Sequence, residues 1–108
     1  MVEICGFAIQ SGKEIARMIS VIKRDGEIAE FHLSKITDAI TKAFDATQKM
    51  YNEEIISLLS LRVTSDFQGK VKDNLISVED IQDSVEHVLE QTGYTDVAKA
   101  YILYRKNR

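Results

Sequence analysis

The chain has 108 residues, a formal charge of −3, a single cysteine and no proline. That length favours one domain with one modest core, and the charge argues against a surface built to hold duplex nucleic acid. The lone Cys5 excludes an internal disulfide or a multi-cysteine zinc site and suits a reducing cytoplasm; no apolar run approaches the roughly 18 residues of a membrane span, and the N-terminus carries Glu3 where an export signal needs a cation.

Residues 1–18 lack clear periodicity and read as an extension: an accessory strand, a short helix or a partly ordered tail. From residue 19 a compact pattern begins. Ile19-Ser20-Val21-Ile22-Lys23-Arg24 is β-branched and extended, and Asp25-Gly26 is a two-residue hairpin signal because glycine tolerates positive φ. Glu27 to Phe31 returns. With a two-residue turn, Lys23 faces Ile28, Val21 and Lys23 share one face, and Ile22, Ala29 and Phe31 form the core face.

Four amphipathic helices are predicted next. The first starts with Ser34 as N-cap and repeats apolar residues at Ile36, Ala39, Ile40, Ala43 and Phe44. The second starts near Asn52, shows Ile55, Ile56, Leu58, Leu59, Val63 and Phe67, and ends at Gly69. A third short strand fits around Leu75-Ile76. Ser77-Val78-Glu79-Asp80 resembles a capping box for the third helix, whose stripe is Ile81, Val85, Val88 and Leu89 and whose stop is Gly93. The fourth starts near Thr95, runs along Val97, Ala98, Tyr101, Ile102 and Tyr104, and ends in Arg105, Lys106 and Arg108, where cations favour the helix dipole. The expected fold is α+β: a four-helix bundle capped by a small hairpin or three-stranded sheet.

No catalytic constellation emerges. The stretch from Gly6 to Gly12-Lys13-Glu14 has five residues between its glycines and a carboxylate where a phosphate loop needs a hydroxyl. Cys5 has no base nearby in sequence, and His32 and His87 have no metal-ligand spacing. Tyr101 and Tyr104 continue an apolar stripe and read as core rather than as stacking platforms. Acidic pairs such as Glu53-Glu54 and Glu79-Asp80 fall in first turns of helices, where the dipole accounts for them.

The basic hairpin is different. Lys23 and Arg24 stand directly before a tight turn, and Lys35 stands in the first turn of the next helix. A cation at a helix start is mildly unfavourable unless an anion is present, and an anion there could use the free N–H groups of that turn. Lys23, Arg24 and Lys35 could therefore converge on a polyphosphate; the alternative is three solvated surface charges.

Val21-Ile22-Lys23-Arg24-Asp25-Gly26, then Phe31-His32-Leu33-Ser34-Lys35-Ile36 and Lys42-Ala43-Phe44, resemble the opening blocks of the ATP-cone family. Ile76-Ser77-Val78-Glu79-Asp80-Ile81-Gln82 resembles its middle, and Ala100-Tyr101-Ile102-Leu103-Tyr104-Arg105 with Arg108 its closing helix, so the resemblance spans residues 19–108. It implies a regulatory domain that binds ATP or dATP as an allosteric effector, with magnesium as an accompanying ion, without altering it chemically. Such domains usually stand at the N-terminus of ribonucleotide reductases, and the anaerobic ribonucleoside-triphosphate reductase is the parent expected here. Catalysis would then reside in the parent's catalytic domain, the implied protein partner, with a homo-oligomer as a further expectation and neither membrane nor nucleic acid as partner.

Residue by residue, the resemblance implies phosphate or base contacts for Lys23, Arg24 and Lys35, and an apolar wall from Val21 and Ile36. Base and sugar contacts fall to Val78, Ile81 and Gln82, and a basic contact to Arg108. Gln82 replaces a histidine of some members and Val78 a polar residue, so the base end departs from the family pattern. Two other readings are a nucleotide-sensing transcriptional repressor, which would carry a zinc ribbon of paired cysteines, and a helical interaction domain that binds no nucleotide.

Overall fold

The computed structural model describes residues 19–107. The extension at 1–18, with Cys5 and the Gly6–Glu14 stretch, lies outside the described residues, as does Arg108. The rest forms the expected α+β arrangement. Strands β1 (Ser20–Ile22), β2 (Ile28–Glu30) and β3 (Leu75–Ser77) make one sheet, and the helices are α1 (Leu33–Thr47), α2 (Glu53–Phe67), α3 (Val78–Gln91) and α4 (Thr95–Lys106). A single 3-10 turn, Gln68–Lys70, follows α2.

The helices pack in a ring, α1 on α2, α2 on α3, α3 on α4 and α4 back on α1. Ile40, Phe44, Val63, Phe67, Val85, Leu89 and Val97 are completely enclosed within it. Burying each large apolar side chain contributes about 1.5–3 kcal/mol. Phe31 joins the sheet to the bundle by meeting Phe67 edge to face, with centroids 5.5 Å apart.

β1 is the central strand, antiparallel to β2 and parallel to β3. The third strand is where the spacing placed it. Lys72 and Leu75 exchange both backbone hydrogen bonds at 2.9 Å, and Asp73 and Asn74 between them take φ of 53° and 61°. Asn and Asp tolerate that left-handed region best after glycine, so a mirror-image turn forms without one.

The hairpin register differs by one residue from the expected one. The Lys23 carbonyl accepts from the Gly26 N–H at 2.9 Å, and the Lys23 N–H donates to the Glu27 carbonyl at 2.8 Å. With Gly26 at φ 90°, this is a three-residue loop closed by a glycine bulge. Val21 therefore pairs with Ala29 and Ile22 with Ile28. A one-residue slip exchanges the two faces of a strand. Val21, not Ile22, shares the inward face with Ala29 and Phe31, and Ile28 is 64% exposed. Lys23 is carried onto that inward face. Asp25 supports the loop by accepting from the Glu27 N–H at 2.9 Å, which holds its carboxyl below the ordinary value.

Three smaller expectations are corrected. α1 begins at Leu33 with His32 as N-cap, so Ser34 is already helical. The Phe31 N–H is tied to the Ile19 carbonyl at 3.1 Å and its ring is buried, so the chain turns into helix directly after it. Gly69 does not end α2; the helix tightens into the 3-10 turn that contains it. Leu58, assigned to the inner face of α2, is 58% exposed. Gly93 does stop α3. It takes φ 90°, its N–H meets the Glu90 carbonyl, and Tyr94 N–H meets that of Leu89 at 2.9 Å, the paired bonds of a Schellman ending.

Candidate functional site

A cavity of about 420 Å³ opens between the inward face of the sheet, the start of α1, the first turns of α3 and the second half of α4. That volume lies in the usual range for small-molecule sites. Its apolar walls come from Val21, Ala29 and Phe31 on the sheet, Ile36 and Ala39 on α1, and Val78, Ile81 and Val85 on α3. The register of the hairpin decides this. Only the observed pairing puts Val21, Lys23 and Ala29 together on the side of the sheet that faces the helices.

Every site residue expected from the sequence and lying within 19–107 borders this one cavity: Val21, Lys23, Arg24, Lys35, Ile36, Val78, Ile81 and Gln82. The ninth, Arg108, is outside the described residues. Residues 57 positions or more apart, such as Lys23 and Gln82, are brought together because β1 and β3 are parallel neighbours and β3 runs straight into α3.

The cavity also has walls that the sequence reading did not place there. Tyr101 and Tyr104 border it from α4, with ring centroids 6.2 Å apart and planes tilted by 34°. Tyr101 is buried, as expected of a core residue, yet it serves as cavity wall too. Glu30 and His32 border the mouth, with a Glu30–His32 distance of 3.5 Å.

The charges around the cavity fall into two groups. Lys23 and Lys35 take part in no ion pair among the described residues. Both are exposed. The start of α1 beside Lys35 has no side-chain cap and no acid in its first turn. The Lys35 N–H turns back to the His32 carbonyl at 3.1 Å, which leaves the leading N–H groups of Leu33 and Ser34 open to an anion.

Arg24 is engaged. Its Nε lies 2.7 Å from Glu79 Oε2, and its Nη2 donates to Gln82 Oε1 at 3.2 Å. Glu79 is shared with Arg105, whose Nη2 lies 2.7 Å from Glu79 Oε1. Arg105 also pairs with Asp83 at 2.9 Å and with Glu86. Its side chain is only 17% exposed. Burial alone would push the guanidinium's pKa down, but the hydrogen bonds it donates to Glu79, Glu86 and Asp83 together raise it. The Arg105 bond, opposed by slight desolvation and reinforced by Arg24, holds Glu79 below its ordinary value.

Arg105 was expected merely to complement the dipole of its own helix, and Glu79 that of α3. Their actual role as a shared ion-pair centre had a sequence signal. Glu79, Asp83 and Glu86 are spaced i, i+4, i+7, so α3 carries an acidic stripe on one face. A single arginine from the next helix meets it.

Among the described residues no group of His, Cys, Asp and Glu could hold a metal ion. None of the described helices is long and apolar enough to cross a membrane.

The family model described as the ATP cone domain matches residues 19–108. The chain is 41% identical over 97 residues to a ribonucleoside-diphosphate reductase subunit alpha of Chlamydia pneumoniae, covering 84% of this chain and 9% of that protein. It is 40% identical over 93 residues to a vitamin B12-dependent ribonucleoside-diphosphate reductase of Thermoplasma acidophilum, covering 82% and 12%. It is 37% identical over 91 residues to an anaerobic ribonucleoside-triphosphate reductase of Haemophilus influenzae, again covering 82% and 12%. The chain thus spans about a tenth of the length of these relatives. Three kinds of reductase match at similar identity, so the anaerobic kind expected from the sequence is not singled out.

Proposed function

The chain belongs to the ATP cone domain family, and from that premise we propose that it is the nucleotide-sensing part of a ribonucleotide reductase. ATP or dATP binds in the cavity and is not chemically changed. The polyphosphate lies at Lys23, Lys35 and the open N–H groups of α1, with Arg24 joining from the hairpin tip. Val21 and Ile36 pack on the nucleotide, and Val78, Ile81 and Gln82 reach its base and sugar. Arg108 adds a basic contact from the end of the chain. Magnesium accompanies the triphosphate.

The observation that carries this reading is the start of α1. A helix with no cap, no acid and a lysine in its first turn faces a cavity that a second lysine also borders. That arrangement is unfavourable by itself and favourable with an anion in place. The radical chemistry of reduction belongs to the rest of the reductase, in the cytoplasm, and this domain reports nucleotide levels to it. The parent kind, including the anaerobic one, is settled by reading the coding sequence beyond Arg108.

Isothermal titration of the folded chain with ATP and dATP tests the reading. Saturable binding of at least one is expected; no heat from either at millimolar nucleotide would sink it. Sedimentation in each nucleotide tests the further expectation that the domain self-associates differently in ATP and in dATP. Equal sedimentation in ATP and in dATP would remove that part.

A further inference from the structure

Of the three cations at the cavity, Arg24 alone is already paired among the described residues. The two donors it uses, Nε and Nη2, lie along one edge of the guanidinium. That edge is the fork with which arginine takes up a carboxylate or a phosphate. In this structure the protein's own Glu79 and Gln82 fill it.

Glu79 is built to give the arginine up. Its second oxygen is bound by Arg105, so releasing Arg24 does not leave the carboxylate unpaired. Arg105 in turn keeps Asp83 and Glu86. Arg24 and Glu79 are about half exposed, at 46% and 49% of their side chains. An ion pair so open to water is weak and readily exchanged.

We propose that Glu79 is an internal competitor for the anionic ligand: it occupies the Arg24 fork in the empty domain, and a bound polyphosphate takes its place. Nucleotide binding then breaks the link between the hairpin tip and the first turn of α3, and leaves Glu79 to Arg105 alone. Glu79 sets affinity downward through Arg24 and touches no ligand itself. The inference rests on the nucleotide reading above.

The test is calorimetric titration of ATP into four forms of the chain: unaltered, Glu79→Gln, Arg24→Ala and the double variant. Glu79→Gln is expected to bind ATP about two- to fivefold more tightly, the range an exposed ion pair supplies. In the Arg24→Ala background the same change is expected to do nothing. Asp83→Asn removes a carboxylate from the Arg105 centre without touching Arg24, and is expected to leave affinity unchanged. Thermal melting of each form checks that all are folded.

Two results overturn the proposal while the nucleotide reading stands. One is Glu79→Gln binding no more tightly than the unaltered chain. The other is equal tightening with and without Arg24, which would make Glu79 a mere distant negative charge. If the unaltered chain binds neither ATP nor dATP, the nucleotide reading fails and this inference falls with it.

Discussion

α2 and α3 begin alike, and α1 begins differently. Asn52 caps α2 by accepting from the Ile55 N–H at 2.9 Å, and Glu53 and Glu54 follow in the first turn. Ser77 caps α3 by accepting from the Asp80 N–H at 3.1 Å, with Glu79 and Asp80 in its first turn. α1 has His32 at the N-cap with no such bond, no acid, and Lys35. Two helix starts are thus built for stability. α4 also starts without a side-chain cap, at Tyr94, but keeps Asp96 in its first turn; among the described helices α1 alone gives up both a cap and a favourable charge, at the place where it borders the cavity. Departures from locally optimal chemistry concentrate where function requires them, and here the departure has the sign that an anion would correct.

The largest effect should come from making α1 begin like the other two. Lys35→Glu places an acid in its first turn. The empty domain is expected to gain about 0.3–1 kcal/mol, since the charge now suits the dipole. ATP affinity is expected to fall by more than about 3 kcal/mol, because a charged hydrogen bond is replaced by repulsion. Opposite signs in thermal melting and in calorimetry are the signature. A variant that loses stability and keeps its affinity would break the comparison.

Neutral truncations come next. Lys23→Ala and Lys35→Ala should each weaken ATP binding by about 1–3 kcal/mol. Stability should change little in both, since neither lysine pairs with another described residue. Unchanged affinity in both would return the two lysines to solvated surface charges.

The caps give the mirror image. Asn52→Ala and Ser77→Ala each remove the acceptor for a helix-start N–H and should cost about 0.5–2 kcal/mol in denaturant unfolding. His32→Ala at the corresponding position of α1 should cost less than about 0.5 kcal/mol, because His32 makes no capping bond there. Equal losses at all three starts would show that α1 is capped in solution after all.

The charges in this contrast were legible before any coordinates, but the bare start of α1 was not, because Ser34 offers itself there as an N-cap and the structure makes it helical instead. The acids after Asn52 and Ser77, and the lysine after His32, are plain in the letters, and helix starts have strong chemistry. The cavity-lining residues were reached through the resemblance of three separated blocks. The hairpin register was not legible. Asp25-Gly26 fits a two-residue turn and a three-residue loop with a glycine bulge equally well, and Val21, Ile22 and Ile28 are all apolar, so alternation did not choose between the faces. Packing chose: Phe31 is buried against Phe67, and Val21 and Ala29 follow it inward. The Arg24–Glu79–Arg105 chain was hidden for another reason. It joins the hairpin, α3 and α4, and each member had a sufficient local explanation on its own element.

The smallest expected effect separates the helix starts by pH. Glu79 at the start of α3 is held below its ordinary value of 4.5, chiefly by its hydrogen bond from Arg105. A carboxylate lowered in the folded state adds stability above the unfolded value, and that contribution is lost as pH falls through and below 4.5. Arg105 stays charged throughout, its pKa raised. Glu79→Gln should therefore flatten part of the acid-side loss of stability, measured as urea midpoints at successive pH values. The start of α1 has no acid to protonate, so Lys35→Ala should keep the acid-side slope of the unaltered chain. If Lys35→Ala flattened that slope and Glu79→Gln did not, the pH-sensitive start would be α1, and the assignment of roles to the two ends would have to be exchanged.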